Sequence, residues 1–144
     1  MYESYNNILD ENLKTGKYKK KLNDIYLELI KLAKNDYGDK TTILLQVGGF
    51  YEMYSSKNFY YDELCELSKI LNFSVGKKDD GYMVGFPTHS QDKNIDKLLI
   101  NNYTLVIIDQ ESNVKNTKRS VTEVINNSTN IESKKNNNYI ISVF

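Results

Sequence analysis

TTILLQVGGFYEMY, residues 41–54, is the stretch of sequence that decides the fold. Its first half, residues 41–47, is β-branched and almost continuously apolar, which is typical of a buried strand. Gly48-Gly49 then supplies two positions free of Cβ strain, as a tight hairpin or a bulge requires. Residues 50–54 follow as a second strand that returns beside the first. The stretch therefore predicts a β-hairpin whose first strand is buried.

Helical periodicity recurs three times around this hairpin. Apolar residues at three- and four-residue steps predict a helix over Lys17 to Asn35 and a second helix over Tyr60 to Leu71. The spacing Thr88-x-x-Gln91 resembles a capping box, with Ser90 as an alternative cap, and predicts the start of a third helix.

Further strands are predicted from short apolar and β-branched runs. The strongest is Tyr103 to Ile108, which we interpret as a central strand. Ser120 to Ile125 alternates with period two, as a half-buried strand does. Phe73 to Val75 and Tyr82 to Gly85 are two extended segments joined by a charged loop, residues 76–81. These elements predict a single mixed α/β (α+β) domain with about five or six strands and three helices.

The two ends of the sequence differ in composition from its middle. Residues 1–16 are polar and lack sustained periodicity, so we expect a flexible lead-in. Residues 126–138 are mostly Asn, Ser, Thr and Lys, which is typical of a low-complexity linker. Residues 139–144 begin another apolar strand, which we interpret as the first strand of a following domain. The domain itself is therefore predicted to span residues 17–125.

Composition and charge exclude several classes of protein. The 144 residues carry 19 basic and 19 acidic side chains and no net charge at pH 7, which argues against a fold that grips nucleic acid by bulk charge alone. The single Cys65 and the single His89 permit neither an internal disulfide nor a zinc site built from Cys and His. No signal peptide is evident, and no apolar run approaches the ~18 residues of a membrane span. We therefore expect an intracellular protein without a metal or a membrane partner.

Enzymatic patterns find little support. Gly76-Lys77-Lys78 lacks the preceding glycine and the hydroxyl of a phosphate-binding loop. Cys65 and His89 are far apart in the sequence, and they could act as nucleophile and base only if the fold brought them together. The alternative makes Cys65 a small core residue and His89 part of the turn before the third helix. We predict no catalytic residue in this chain.

Phe50 and Glu52 are the informative residues of the hairpin. In an extended strand alternate side chains share a face, so these two point together while Tyr51 points to the other side. Beside a glycine turn, Phe50 is placed where a flat ring can protrude into a partner. The alternative is that Phe50 is a core residue and Glu52 a surface charge on an edge strand.

Three ordered blocks of the sequence carry a family resemblance. They are LLQVGGFYEMY at residues 44–54, MVGFPTH at residues 83–89 and YTLVIIDQ at residues 103–110. The blocks resemble the Gly-Asp-Phe-Tyr-Glu, Met-Ala-Gly-(Ile/Val)-Pro-Tyr-His and Gly-Tyr-x-Val-Ala-Ile-Cys-Glu-Gln stretches of the DNA mismatch repair MutS family, in its N-terminal mismatch-recognition domain. Arg119-x-Val121-Thr122 is similar to a further strand of that domain.

The resemblance implies a mixed α/β domain that inserts the Phe of Phe-x-Glu beside a mispaired or unpaired base, while the Glu hydrogen-bonds that base. By position these are Phe50 and Glu52. It also implies double-stranded DNA with mismatches or small loops as the partner of a monomeric fragment without a cofactor. The parent protein is then a dimeric ATPase that uses ATP and Mg²⁺. Gly49 stands where the family commonly has Asp, and Thr88 where it usually has Tyr, which indicates a divergent branch.

Basic residues supply the remaining candidate contacts. Almost all are lysines, which contact phosphate as point charges and read no base sequence. They cluster around the start of the first helix, in the charged loop and before the last strand, at Lys17, Lys19, Lys20, Lys21, Lys77, Lys78, Lys115, Lys118 and the sole arginine, Arg119. Since family members carry basic residues after the corresponding strand, Lys77 and Lys78 are candidate DNA backbone contacts, together with Gly49.

A ring and a carboxylate can together sense faulty pairing. Inserting a ring unstacks a base step, at a cost of a few kcal/mol that is lowest where pairing is already faulty. A carboxylate repels phosphates and is tolerated only where a base edge donates a hydrogen bond, or where the carboxyl is protonated and donates. Two alternatives remain, namely the same fold with only non-specific backbone contacts, and a protein-interaction module built on the twelve tyrosines.

Overall fold

The computed structural model describes residues 2–12, 20–112 and 117–128. In this part of the chain the helices are α1 (Glu3–Asn12), α2 (Leu22–Tyr37), α3 (Tyr61–Leu71) and α4 (Gln91–Ile100). The strands are β1 (Thr41–Val47), β2 (Phe50–Ser55), β3 (Gly76–Lys78), β4 (Gly81–Pro87), β5 (Thr104–Gln110) and β6 (Arg119–Ile125). The predicted mixed α+β class is confirmed, and the predicted strand number includes the observed six. The predicted three helices are one too few.

The six strands form one mixed sheet in the order β3-β4-β2-β1-β5-β6. β1 and β5 run parallel, and the other neighbouring pairs are antiparallel. The first five residues of β1 and of β5 are all buried, so both faces of the sheet are covered by helices. α1 packs with α2, and α3 packs with α4. The predicted β1–β2 hairpin and the interior position of β5 are confirmed.

The helix α2 shows why the apolar periodicity becomes a core. Ile25, Tyr26, Leu29 and Ile30 are fully buried, and α2 packs on β1 and β2. Each such side chain contributes about 1.5–3 kcal/mol by leaving water. The hydroxyl of Tyr26 donates to the carbonyl oxygen of Ile43 at 2.6 Å, which satisfies the polar end of this buried ring. In the residues that the structure describes, every helix is too short or too polar to cross a membrane.

The predicted flexible lead-in, residues 1–16, is wrong for its first part. Glu3–Asn12 forms α1, in which Tyr5 and Leu9 are 3% and 1% exposed. The Tyr5 hydroxyl donates to Asp36 Oδ2 at 2.7 Å, and the backbone N–H of Val121 donates to Asn6 Oδ1 at 3.0 Å. Tyr5 and Leu9, one turn apart, are the two buried apolar side chains of α1, and the partly buried Ile8 also packs against the core. So short an apolar stripe in a polar sequence does not predict a helix by itself, and tertiary contacts supply most of its stability.

Two helices begin or end at other residues than predicted. The first predicted helix, Lys17 to Asn35, begins at Leu22 and ends at Tyr37; residues 17–19 lie outside the described residues. The capping box of the third helix does not form, because Thr88–Ser90 is a separate 3₁₀ turn. Ser90 precedes α4, but its hydroxyl donates to the carbonyl oxygen of Pro87 at 2.9 Å.

The predicted strand Phe73 to Val75 is also wrong. The residue after α3, Asn72, takes a left-handed conformation with φ of 62°, and Phe73 turns its ring toward Phe86, with ring centroids 6.3 Å apart. Strand pairing starts only at Gly76, opposite Met83. The first half of the predicted charged loop is therefore the strand β3, Gly81 begins β4, and only residues 79 and 80 form the turn between them. Of the two predicted end segments, residues 129–138 of the linker and residues 139–144 lie outside the described residues.

Candidate nucleic-acid interface

The β1–β2 hairpin presents Phe50 at the end of the sheet. Val47 and Phe50 are the last paired residues before the turn, and Gly48 adopts φ of 61°, which a two-residue hairpin turn of type II′ requires at its first central position. Phe50 is 48% exposed. Its strand neighbour Tyr51 is buried and faces the opposite side of the sheet. Phe50 is therefore a surface ring and not a core residue.

Glu52 lies on the same face as Phe50, one pleat further from the turn. It is paired with Leu45 of β1 and with Gly85 of β4, so β2 is not an edge strand. A Cβ on Gly85 would lie 3.3 Å from Glu52 Cγ, which means that this glycine leaves room for the Glu52 side chain. The carboxylate is half-buried and accepts a hydrogen bond from the Tyr54 hydroxyl.

The electrostatic surroundings of Glu52 act in two directions. Burial raises the pKa of the carboxyl, whereas the Tyr54 hydroxyl, Lys78 and Arg119 lower that pKa and offset part of the effect. The net direction is upward. Glu52 is thus easier to protonate than an exposed glutamate, and it can act either as an acceptor or, when protonated, as a donor.

A network of side chains braces the turn that carries Phe50. Gln110 Oε1 accepts from the Gly48 backbone N–H at 2.6 Å and from Arg119 Nη2 at 3.0 Å. Gln46 closes the network, because its Oε1 accepts from the Gln110 N–H at 2.9 Å and its carbonyl oxygen accepts from Arg119 Nε at 2.8 Å. Three strands, β1, β5 and β6, therefore hold the hairpin end in place.

The structure corrects the interpretation of Arg119 as a surface cation. Arg119 is 5% exposed and its donors are used inside the network. Sequence reasoning did not identify this network or the contact of Tyr54 with Glu52. The signals that could have found the network are Gln110, a polar residue at the end of the apolar β5, and Arg119, the only arginine. Their mutual contacts are long-range pairings that periodicity does not report.

The candidate backbone contacts lie farther from Phe50. Lys78 is paired with Gly81 at one end of β4, and Phe50 is paired with Pro87 at the other end. Lys78 and Phe50 are therefore about 20 Å apart along the strand direction. Lys77 is exposed and Lys78 half-buried. Gly49 is exposed beside Phe50, and its carbonyl oxygen accepts from the Thr88 N–H at 2.9 Å. The structure thus places Gly49 next to Phe50, and Lys77 and Lys78 toward the far edge of the sheet.

The other lysine clusters are partly neutralised. Lys20 lies 3.1 Å from Glu28, and Lys21 contacts Asp80. Lys118 lies 3.9 Å from Asp10. Lys17, Lys19 and Lys115 lie outside the described residues.

The residues of the enzymatic alternative have separate surroundings. Cys65 is half-buried on α3, beside Tyr61, so the prediction of a core cysteine is wrong. His89 lies exposed in the 3₁₀ turn. In the described residues, no group of three or more His, Cys, Asp and Glu side chains could hold a metal ion.

The tyrosines do not form an adhesive surface in the described part of the chain. Ten tyrosines lie in the described residues, and six of them are buried. Of the other four, only Tyr37 is exposed, with 39% of its surface accessible to solvent. The buried ones are Tyr5, Tyr26, Tyr51, Tyr54, Tyr60 and Tyr103. These rings fill the core, so their abundance does not favour a protein-interaction module.

Comparisons with known proteins agree with this architecture. A family model described as MutS domain I matches residues 27–134. The chain is 34% identical over 103 residues to the DNA mismatch repair protein MutS of Borrelia garinii subsp. bavariensis, which covers 69% of the chain and 11% of that protein. It is 33% identical over 118 residues to the protein of the same name from Fervidobacterium nodosum, covering 77% of the chain and 14% of that protein.

A third relative, the DNA mismatch repair protein MutS of Staphylococcus aureus, is 33% identical over 122 residues, covering 76% of the chain and 13% of that protein. The chain thus spans only a small part of the length of the curated relatives that it matches. The family model and these relatives each cover about two thirds of the chain or more, and so the chain belongs to the MutS domain I family.

Proposed function

We propose that this domain recognises mispaired or unpaired bases in double-stranded DNA, as the recognition module of a larger MutS-like DNA repair protein. Phe50 inserts beside the faulty base, and Glu52 hydrogen-bonds that base. The observation that carries the proposal is a phenylalanine that is 48% exposed at the end of a braced hairpin, with a half-buried carboxylate on the same face. Relatives whose printed name is DNA mismatch repair protein MutS support the choice of partner.

The energetics of Phe50 favour defects over intact pairs. Opening a base step costs a few kcal/mol, and the cost is lowest where pairing is already faulty. Stacking of the ring on a base returns about 1–3 kcal/mol whichever base it is. The bracing of Gly48 by Gln110 and of Gln46 by Arg119 reduces the conformational freedom that Phe50 loses on insertion. A rigid wedge of this kind selects shape and not sequence.

Glu52 adds selectivity through its charge. A carboxylate near phosphates is repelled, so it disfavours insertion into intact DNA. At a defect, a base edge with a free N–H can donate to the carboxylate. A base edge with only acceptors can instead be met by protonated Glu52, and the upward shift of its pKa by burial lowers the cost of that protonation.

Phosphate contacts are assigned to lysines away from the wedge. Lys77 and Lys78 of β3 are candidates for phosphates on the side of β4, about 20 Å along the strand from Phe50. This distance is compatible with a footprint of several base pairs, because duplex DNA carries a phosphate every ~3.4 Å on each strand. Exposed Gly49 allows the backbone beside Phe50 to approach DNA without a side chain in the way.

The sequence lacks the glycine-rich pattern of a phosphate-binding loop. On the basis of the resemblance to the MutS family, we propose that nucleotide binding and dimerisation belong to other parts of the parent protein, and that this domain serves it as a monomeric DNA-binding module.

The proposal is tested by titrating the 144-residue chain with duplexes that differ only in one G·T mismatch or one unpaired base. Fluorescence anisotropy at ~100 mM salt is expected to show homoduplex binding no tighter than micromolar, since a chain of zero net charge gains little from counterion release. Binding to the defect is expected to be tighter. A 2-aminopurine beside the defect reports insertion of the ring through its fluorescence.

Phe50→Ala is expected to remove the difference between defect and homoduplex, a loss of about 1–3 kcal/mol, while homoduplex binding persists. Phe59→Ala is the matched control, because Phe59 is also an exposed ring, at 41%, and lies in the loop before α3. Nanomolar binding to homoduplex, retained discrimination in Phe50→Ala, or equal losses in both variants would each refute the proposed function.

A further inference from the structure

The strand β2 places a third side chain on the face of Phe50 and Glu52. Tyr54 is fully buried, and its ring meets that of Tyr26 on α2 edge-on, with centroids 5.5 Å apart. This packing fixes the direction of the ring, so its hydroxyl reaches along the strand to Glu52 Oε1. A flexible surface side chain is thus held by a rigid core residue.

The remaining surroundings of Glu52 leave its second oxygen available. The contact with Tyr54 involves Oε1. Gly85, opposite Glu52 on β4, presents no Cβ to the side chain, and no ion pair with Glu52 occurs among the described residues. The charged groups that influence it, Lys78 on β3 and Arg119 on β6, act at longer range. A carboxylate has about four lone-pair sites and Tyr54 uses one of them.

We propose that Tyr54 is a positioning residue for base recognition, whose hydroxyl holds Glu52 Oε1 so that Oε2 is presented to a base inserted beside Phe50. This inference rests on the proposed function and goes beyond it. A carboxylate with one oxygen tied down has fewer rotamers to lose when it binds a base. The same hydrogen bond favours the ionised form, in which Oε2 accepts a hydrogen bond from a base edge with a free N–H.

The test uses Tyr54→Phe, which removes the hydroxyl and keeps the ring against Tyr26. Tyr51→Phe is the matched control on the same strand, because the Tyr51 hydroxyl also donates to a carboxylate, that of Asp109, but on the opposite face. Glutamate labelled with ¹³C at the carboxyl carbon allows the titration of Glu52 to be followed by NMR in the DNA-free chain. The pKa of Glu52 is expected to rise in Tyr54→Phe and to stay unchanged in Tyr51→Phe.

The second arm is a double-mutant cycle on DNA binding. Tyr54→Phe is expected to lower the ratio of defect to homoduplex affinity about three- to tenfold, the loss of part of one charge-assisted hydrogen bond. In the Glu52→Gln background the same substitution is expected to change this ratio by less than about twofold. An unchanged Glu52 titration, or an unchanged ratio despite a shifted titration, would overturn the positioning role. A wild-type chain that does not discriminate overturns the proposed function as well, and the titration still shows whether the hydrogen bond exists.

Discussion

The network beneath the hairpin makes a quantitative prediction for Gln110→Ala. The side chain accepts from the Gly48 N–H at 2.6 Å and from Arg119 Nη2 at 3.0 Å. The first bond is exposed and neutral, worth about 0.5–1 kcal/mol, and the second involves a charged donor, worth about 1.5–3 kcal/mol. Arg119 is 5% exposed, so a donor that loses its acceptor there is costly. The substitution should therefore lower the free energy of unfolding by about 2–4 kcal/mol.

The effect should be local as well as global. Since about 1 kcal/mol shifts the melting temperature of a domain of this size by roughly 3–5 °C, Gln110→Ala should melt about 6–20 °C below the wild type. The Gly48 amide should also lose protection in hydrogen exchange measured by NMR, while amides in the interior of β1 keep theirs.

Gln91→Ala is the matched control, because Gln91 is a half-buried glutamine at the start of α4, away from the hairpin. Its melting temperature should stay within about 3 °C of the wild type. A Gln110→Ala chain that melts with the wild type, or that retains the protection of the Gly48 amide, would show that the network does not hold the hairpin. Phe50 would then not be a rigid wedge.

Two further predictions concern the turn and the carboxylate. Gly48→Ala should lower the free energy of unfolding by about 1–2 kcal/mol, because Gly48 has φ of 61°. Gly49→Ala should leave the free energy of unfolding unchanged, because a Cβ there meets no atom within 4 Å. Equal melting temperatures of the two variants would contradict this prediction. Burial raises the pKa of Glu52, so acidification protonates this carboxylate before exposed glutamates and removes a charge that repels phosphates. Homoduplex affinity, measured by anisotropy at constant ionic strength, should therefore rise more steeply on acidification in the wild type than in Glu52→Gln, and equal slopes would refute the repulsion.

Several elements could be predicted because their cause is local. The continuous apolar run of β1, the glycine turn at Gly48 and the three- and four-residue periodicity of α2 each act through neighbours in the sequence. The same local effects determine the hairpin, and strand alternation then places Phe50 and Glu52 on one face. The motif blocks then identified the family from residues that are contiguous or nearly so.

Elements with a distant cause were missed or misplaced. The helix α1 is stabilised by Tyr5 and Leu9 against the core and by Asn6 at β6. The contact of Asn6 with Val121 joins residues 115 positions apart. The exit from α3 was assigned to a strand at residues 73–75, because an apolar run does not reveal the left-handed Asn72 that turns Phe73 inward. In both cases a tertiary contact overrides a weak local pattern.

The sequence alone determined the class of fold, the hairpin and the pairing of an aromatic ring with a carboxylate, because strand alternation and turn chemistry operate within a few residues. It left open whether Phe50 was a core residue or a surface ring. Only the tertiary structure decided that, since the exposure of a strand face depends on where the helices end above it. It also turned Arg119 from a surface cation into a buried brace and gave Glu52 its partner in Tyr54, because side-chain burial and long-range hydrogen bonds exist only once distant strands are brought together.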